Sequence, residues 1–143
     1  MAEHKAVLKQ LSGITFIGKT DDTNHWVTMD GPDNFGGSNA AIRPKELLLL
    51  SLAGCTSADV MAILQKKRVK LDDYQINITA QSTETHPKVY TKINLEYVFT
   101  GSNIKEKDVA RAIDLSQNVY CGVTAMLQKA IEITHNYKII IPE

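Results

Sequence analysis

Apolar and polar positions follow three rhythms along this chain. Tyr74, Ile76, Ile78 and Ala80 alternate with Gln75, Asn77, Thr79 and Gln81, and Ile93, Leu95, Tyr97 and Phe99 alternate with Lys92, Asn94, Glu96 and Val98. A period of two belongs to half-buried strands. The Glu84-Thr-His-Pro87 segment between the two runs can turn the chain back, which predicts a long antiparallel hairpin with one apolar face. Shorter strands are predicted at Ala6 to Leu11, Ile14 to Ile17 and His25 to Met29, separated by Gly13 and the Asp21-Asp22-Thr23-Asn24 turn cluster, as a small antiparallel meander. Asp30 to Asn39 carries Gly31, Pro32, Gly36 and Gly37 without any apolar period and predicts a flexible loop.

The second rhythm is barely a rhythm. From Pro44, whose fixed dihedral and missing amide suit a first helical position, the chain predicts a helix to about Lys67 that is apolar on nearly every side. Such a helix must be enclosed by a wrapping sheet or by a partner subunit, and the apolar face of the hairpin is a natural neighbour. Lys66-Lys67-Arg68 at its end fits cations favoured by a helix C-terminus better than an anion site.

The third rhythm is helical and amphipathic. After Gly101, Asn103 and Glu106 have the spacing of a capping box, and Val109, Ala112 and Ile113 form one stripe among charged residues, which predicts a surface helix. From Cys121 onward Val123, Met126, Leu127, Ala130, Ile131 and Thr134 keep helical spacing, and Tyr137 to Ile141 predicts a final strand. The order β-β-β-α-β-β-α-α-β is an α+β pattern, expected as one domain over residues 1–143.

Composition narrows the function classes. With 143 residues and 43% hydrophobic content, a core can form without disulfide staples. Sixteen basic residues balance sixteen acidic ones, so neither nucleic acid nor an anionic membrane is an expected partner. The first residues carry no basic and apolar export signal, which makes the cytoplasm the expected location. There, two cysteines read more readily as thiols or redox catalysts than as a structural bridge. The apolar run from Leu47 to Ala58 contains Ser51, Thr56 and Ser57 and ends at Asp59, short of the roughly 18 residues of a membrane span.

Chemistry narrows to those cysteines. Cys121 reads as a first-turn residue of its helix, where free amides and the positive dipole end favour a thiolate. Cys55 lies too far along the long helix for the same help, so a charged side chain would have to activate it. Either cysteine could equally be a small buried hydrophobe. Gly54 beside Cys55 suggests close approach of something or simple helix-sheet packing. Ser51 and Asp59 share the face of Cys55, four residues to either side, and Arg43 is the nearest cation in sequence. His4, His25, His86 and His135 form no metal-ligand spacing, and Gly36-Gly37 fits no nucleotide loop, so neither a metal nor a cofactor is expected.

The blocks Pro44-Lys-Glu-Leu-Leu-Leu-Leu-Ser-Leu-Ala-Gly-Cys-Thr-Ser-Ala-Asp-Val60, Asp114-Leu-Ser-Gln-Asn-Val-Tyr-Cys-Gly-Val123 and Ile133-Thr-His135 resemble the OsmC/Ohr family, and within it the YhfA-like branch. The resemblance covers essentially the whole chain. It implies an intertwined homodimer in which antiparallel sheets wrap long central helices. It also implies thiol peroxidase chemistry, in which Cys55 would attack an organic hydroperoxide and Cys121 would resolve the sulfenic acid as a disulfide for an external dithiol to reduce. The family's arginine of the first strands has no counterpart in Ala6 to Ile17, where Lys9 is the one cation. The slot of its glutamate, ten residues before the cysteine, holds Lys45, which brings the adjacent Glu46 into the candidate catalytic set. On a continuous helix Glu46 points about 180° away from Cys55. A non-catalytic binding protein for a small apolar ligand and a redox sensor are the alternatives on the same fold.

Overall fold

A computed structural model describes residues 1–143. The chain forms two compact units, Met1–Leu49 and Leu50–Glu143, with the boundary inside one long helix.

In the N-terminal unit, β1 (Ala6–Ser12), β2 (Thr15–Thr20) and β3 (Val27–Met29) form the expected antiparallel meander in the order β1-β2-β3. Gly13 makes the first turn at φ 54°, a left-handed conformation that glycine adopts without a Cβ penalty. The segment after β3, expected as a flexible loop, is organised instead. It contains a short 3-10 turn, Asp33–Phe35, and closes on the buried Asp30 carboxylate, which accepts the Gly31 amide at 2.7 Å and the Ser38 and Ala40 amides at 3.2 Å. The polar composition that reads as looseness supplies the amides that converge on one carboxylate. Every residue of β1 is exposed.

The helix α1 (Pro44–Lys66) runs unbroken for 23 residues, as its sequence predicts. It closes with Arg68 at φ 57°, whose amide donates to the Gln65 carbonyl at 2.9 Å while that of Val69 donates to Leu64 at 3.0 Å. This is a left-handed C-terminal cap held by a non-glycine residue. Lys67 pairs with Asp108 at 3.1 Å, so part of the basic cluster is an ion pair beside the helix end. By length and composition alone α1 passes for a membrane span, a test that core helices of soluble proteins also pass, and 28% of that stretch is buried in the single chain.

The C-terminal unit is built on a sheet ordered β4-β5-β6, from β4 (Asp73–Ser82), β5 (Tyr90–Thr100) and β6 (Glu132–Ile140). The hairpin β4-β5 is antiparallel, with Ile76 opposite Tyr97 and Ile78 opposite Leu95. β6 runs parallel to β5, so this sheet is mixed. A return through helices, rather than a tight turn, makes that direction possible. Ile93, Leu95, Tyr97 and Phe99 of β5 are fully buried, as are Leu52 and Val60 of α1 and Val109 and Ala112 of α2 (Glu106–Leu115). Alternation on β5 and the four-residue spacing of Leu52, Thr56, Val60 and Leu64 on α1 thus meet in one core.

Two local expectations give way to packing. The N-cap of α2 is Lys105 and makes no side-chain cap bond, so the Asn103/Glu106 capping box does not form. The helix expected from Cys121 onward, α3 (Gly122–Leu127), has six residues, and Thr134 belongs to β6. Pairing with β5 draws the β-branched stretch from Ile133 into the sheet, where tertiary hydrogen bonds override a helical spacing.

Candidate functional site

The sequence just before α3 forms a π-helical turn, Ser116–Tyr120, which follows α2 without a break. The Cys121 amide donates to the Ser116 carbonyl at 2.8 Å and leaves Cys121 as the N-cap of α3, its sulfur accepting the Thr124 amide at 3.4 Å. Cys121 is therefore just ahead of the helix rather than within its first turn. It is 2% exposed, whereas Cys55, in the middle of α1, is partly accessible. Both are free thiols.

The fold brings the two together. The Cys55 thiol lies near enough to the Cys121 sulfur and to the Val123 amide for both to act on it. Burial pushes this thiol above its ordinary value, the Val123 amide opposes the rise, and the Cys121 sulfur and the Asp59 carboxylate add to it. The charged groups acting on Cys55 are both acidic. Asp59 thus occupies the position its four-residue spacing predicts, without a cation interposed to reverse its effect.

The other candidates have separate attachments. Ser51 is exposed, and Glu46 lies exposed in the first turn of α1, within the N-terminal unit. Arg43, in the same unit, donates to the Ala41 carbonyl at 3.3 Å and to the Asn39 side chain. A Cβ added at Gly54 or at Gly122 would meet nothing within 4 Å, so the backbone next to each cysteine borders open space rather than a packed sheet.

Beneath the cysteines lies a polar cluster that periodicity conceals. Thr56 Oγ1 is 2.7 Å from both Tyr97 Oη and Ser116 Oγ, and Gln117 Nε2 donates to Thr56 and to Tyr97 at 3.0 Å. Ser116 Oγ donates to Asp59 at 3.0 Å, and Thr124 Oγ1 to Gln117 Oε1 at 3.4 Å. Burial pushes the Tyr97 hydroxyl up to about 12, against the pull of its bond to Thr56, so it stays protonated through the physiological range. Tyr97 reads from its spacing as one more apolar strand residue. A signal was nonetheless available, since a buried tyrosine needs a partner for its hydroxyl and the polar Thr56, in an otherwise greasy helix, is one.

A profile of the family described as OsmC-like protein matches residues 36–136. The chain is similar to protein YhfA of Escherichia coli K12, with 38% identity over 136 residues, covering 95% of this chain and 98% of that one. It therefore belongs to the OsmC-like family. Among solved structures, a hypothetical protein of Aquifex aeolicus VF5 matches with TM-score 0.85 and 31% identity over the full length of both chains. An organic hydroperoxide resistance protein OsmC from Legionella pneumophila shares the fold, with TM-score 0.70 and 15% identity over 96% of this chain and 98% of that one.

Proposed function

We propose that this protein is a thiol-dependent peroxidase of the cytoplasm that reduces organic hydroperoxides in a redox-stress role. The observation that carries the reading is the proximity of Cys55, partly accessible, to Cys121, buried, close enough for each thiol to act on the other. In the first step the Cys55 sulfur attacks the distal peroxide oxygen, the O–O bond breaks, and the alkoxide leaves as an alcohol with the thiol proton. Cys121 then attacks the sulfenic sulfur, water leaves, and the disulfide is returned to two thiols by an external dithiol. The open space beside Gly54 leaves an incoming substrate room next to the partly accessible Cys55.

The active form is a homodimer in which the whole chain acts as one OsmC-like domain. Its support is the narrow stripe of α1 that the single chain buries, while Leu48 and Leu50 remain 37% and 52% exposed. A raised Cys55 thiol needs a cation that the acidic neighbours do not supply, and a second subunit is a natural source. On the unbroken α1, Glu46 faces away from Cys55 of its own chain and does not hold that cation there.

The test is direct. Reduced protein treated with cumene hydroperoxide should lose both free thiols, Cys55→Ser should lose none, and Cys121→Ser should stop at a sulfenic acid that dimedone traps. Undiminished thiols in the wild type would exclude the peroxidase reading. One observation favours a second reading, a binding protein for a small apolar ligand. An apolar groove of about 510 Å³, within the range of small-molecule sites, lies in the N-terminal unit between Val7, Leu8, Val27, Met29 and Leu47, and neither cysteine lines it. A copurified ligand seen by native mass spectrometry, retained by a cysteine-free double mutant, would support it.

A further inference from the structure

The buried hydroxyls around Cys121 can be hydrogen-bonded in one direction only. A carboxylate accepts and never donates, so the Ser116 hydroxyl donates to Asp59 at 3.0 Å, with the Thr56 carbonyl a longer second acceptor at 3.4 Å. Its single proton committed, Ser116 Oγ accepts from Thr56, and Thr56 Oγ1 in turn accepts from the Tyr97 hydroxyl and from Gln117 Nε2. Tyr97 Oη, already donating to Thr56, accepts the second Gln117 amide proton. That fixes the carboxamide so that Gln117 Oε1 faces Thr124 Oγ1. Every proton before Ser116 has one place to go, and the Ser116 proton goes to the nearer Asp59 carboxylate rather than to the Thr56 carbonyl. Thr56, Tyr97, Ser116, Gln117 and Thr124 are all at most 8% exposed, so water does not offer an alternative partner.

Two members of this chain are the residues that hold Cys121. Ser116 provides the carbonyl that takes the Cys121 amide, and Thr124 provides the amide that caps its sulfur. Asp59 itself stands one helical turn beyond Cys55, on the same face of α1. We infer that Asp59 is a positioning residue serving both cysteines: through Ser116 its carboxylate locks the π-helical turn that presents Cys121, and from its own place it sets a negative charge against Cys55. The titratable groups facing Cys55 are Asp59 on its own helix and Cys121 ahead of α3. Tyr97 of β5 stands behind Thr56, packed edge-on to His135 of β6. The result is a division of labour, with Cys55 held as a thiol until a cation or substrate arrives and Cys121 held ready to close the disulfide.

This inference rests on the cysteine pair closing a disulfide, not on hydroperoxide as the oxidant. Diamide, an azo oxidant, takes two electrons and two protons from the thiols and becomes a hydrazine, leaving the disulfide. Closure is timed with saturating diamide in wild type, Asp59→Asn, Ser116→Ala and Ser116→Thr, and Cys55 alkylation by iodoacetamide is followed against pH in a Cys121→Ser background. Asp59→Asn should move the alkylation profile to lower pH, since a like charge is gone, yet slow closure by about tenfold, since a neutral amide holds the Ser116 hydroxyl more weakly than a carboxylate does. Ser116→Ala should slow closure similarly and leave the alkylation profile in place, while Ser116→Thr, which keeps the hydroxyl, should restore closure. General loosening of the fold would not move the two cysteines in opposite senses. An Asp59→Asn profile superposed on wild type, or closure unchanged in Asp59→Asn or Ser116→Ala, would overturn the inference. Should Asp59→Asn fail to fold, closure in Ser116→Ala decides alone. A wild type inert to cumene hydroperoxide but closed by diamide would remove the peroxidase reading while leaving this test intact.

Discussion

Three backbone amides converge on Asp30, and that convergence fixes how one loop answers to pH. Burial alone would raise its carboxyl, but the bonds from Gly31, Ala40 and Ser38 outweigh burial and hold it below the usual carboxylate range. A group depressed in the folded state contributes stability that is fully present above its unfolded value, about 4, and is lost as pH falls through the folded value. Urea unfolding followed against pH should therefore show wild type losing stability more steeply than Asp30→Asn below about pH 4, and exceeding it in stability at neutrality. Parallel curves would mean the carboxylate is not what organises residues 31–40. The same logic of paired polar atoms applies at Tyr97, where a hydroxyl in the core is tolerated because both its donor and acceptor roles are filled.

At the scale of elements, α1 is shaped by its ends as much as by its apolar middle. Pro44 suits its start, and at its end Arg68 takes a left-handed conformation that costs a residue with a Cβ roughly 1 kcal/mol. Arg68→Gly should relieve that strain and stabilise the chain by about 0.5–1 kcal/mol in denaturant titration, while a loss of stability would show that the guanidinium makes compensating contacts. The π-helical turn belongs to the same scale. Nothing in the local residues of Ser116–Tyr120 demands a wider turn, but Ser116 and Gln117 must both point inward to reach Thr56, and the widened turn brings them there together.

For the whole molecule, the issue is the apolar surface that a single chain leaves uncovered. Leu50 is exposed on a helix whose opposite stripe is core, and Val7, Leu8 and Leu11 are exposed along β1. Exposed apolar side chains of this kind, on each unit by itself, mark interaction faces. Sedimentation equilibrium should find a dimer, and Leu50→Lys should shift it toward monomer at micromolar concentration with an intact far-ultraviolet circular dichroism spectrum. A Leu50→Lys protein as dimeric as wild type would place the interface elsewhere.

Local pattern was sufficient for the strands, the meander, the long hairpin and the span of α1, because each depends on a periodicity or a turn residue carried by neighbours in sequence. It also singled out Cys55, Cys121 and Asp59, since cysteine is scarce here and a four-residue step puts Asp59 on the face of Cys55. The extent of α3 and the direction of β6 were beyond it, because sheet pairing with β5 competes with local preference and wins; so was the N-cap of α2, which falls on Lys105 and leaves the Asn103 capping box unformed. The proximity of the two cysteines, the π-helical turn and the chain of hydroxyls ending on Asp59 were likewise decided by tertiary structure alone. They join atoms from α1, β5 and the turn before α3, and no spacing along one element encodes a bond between three.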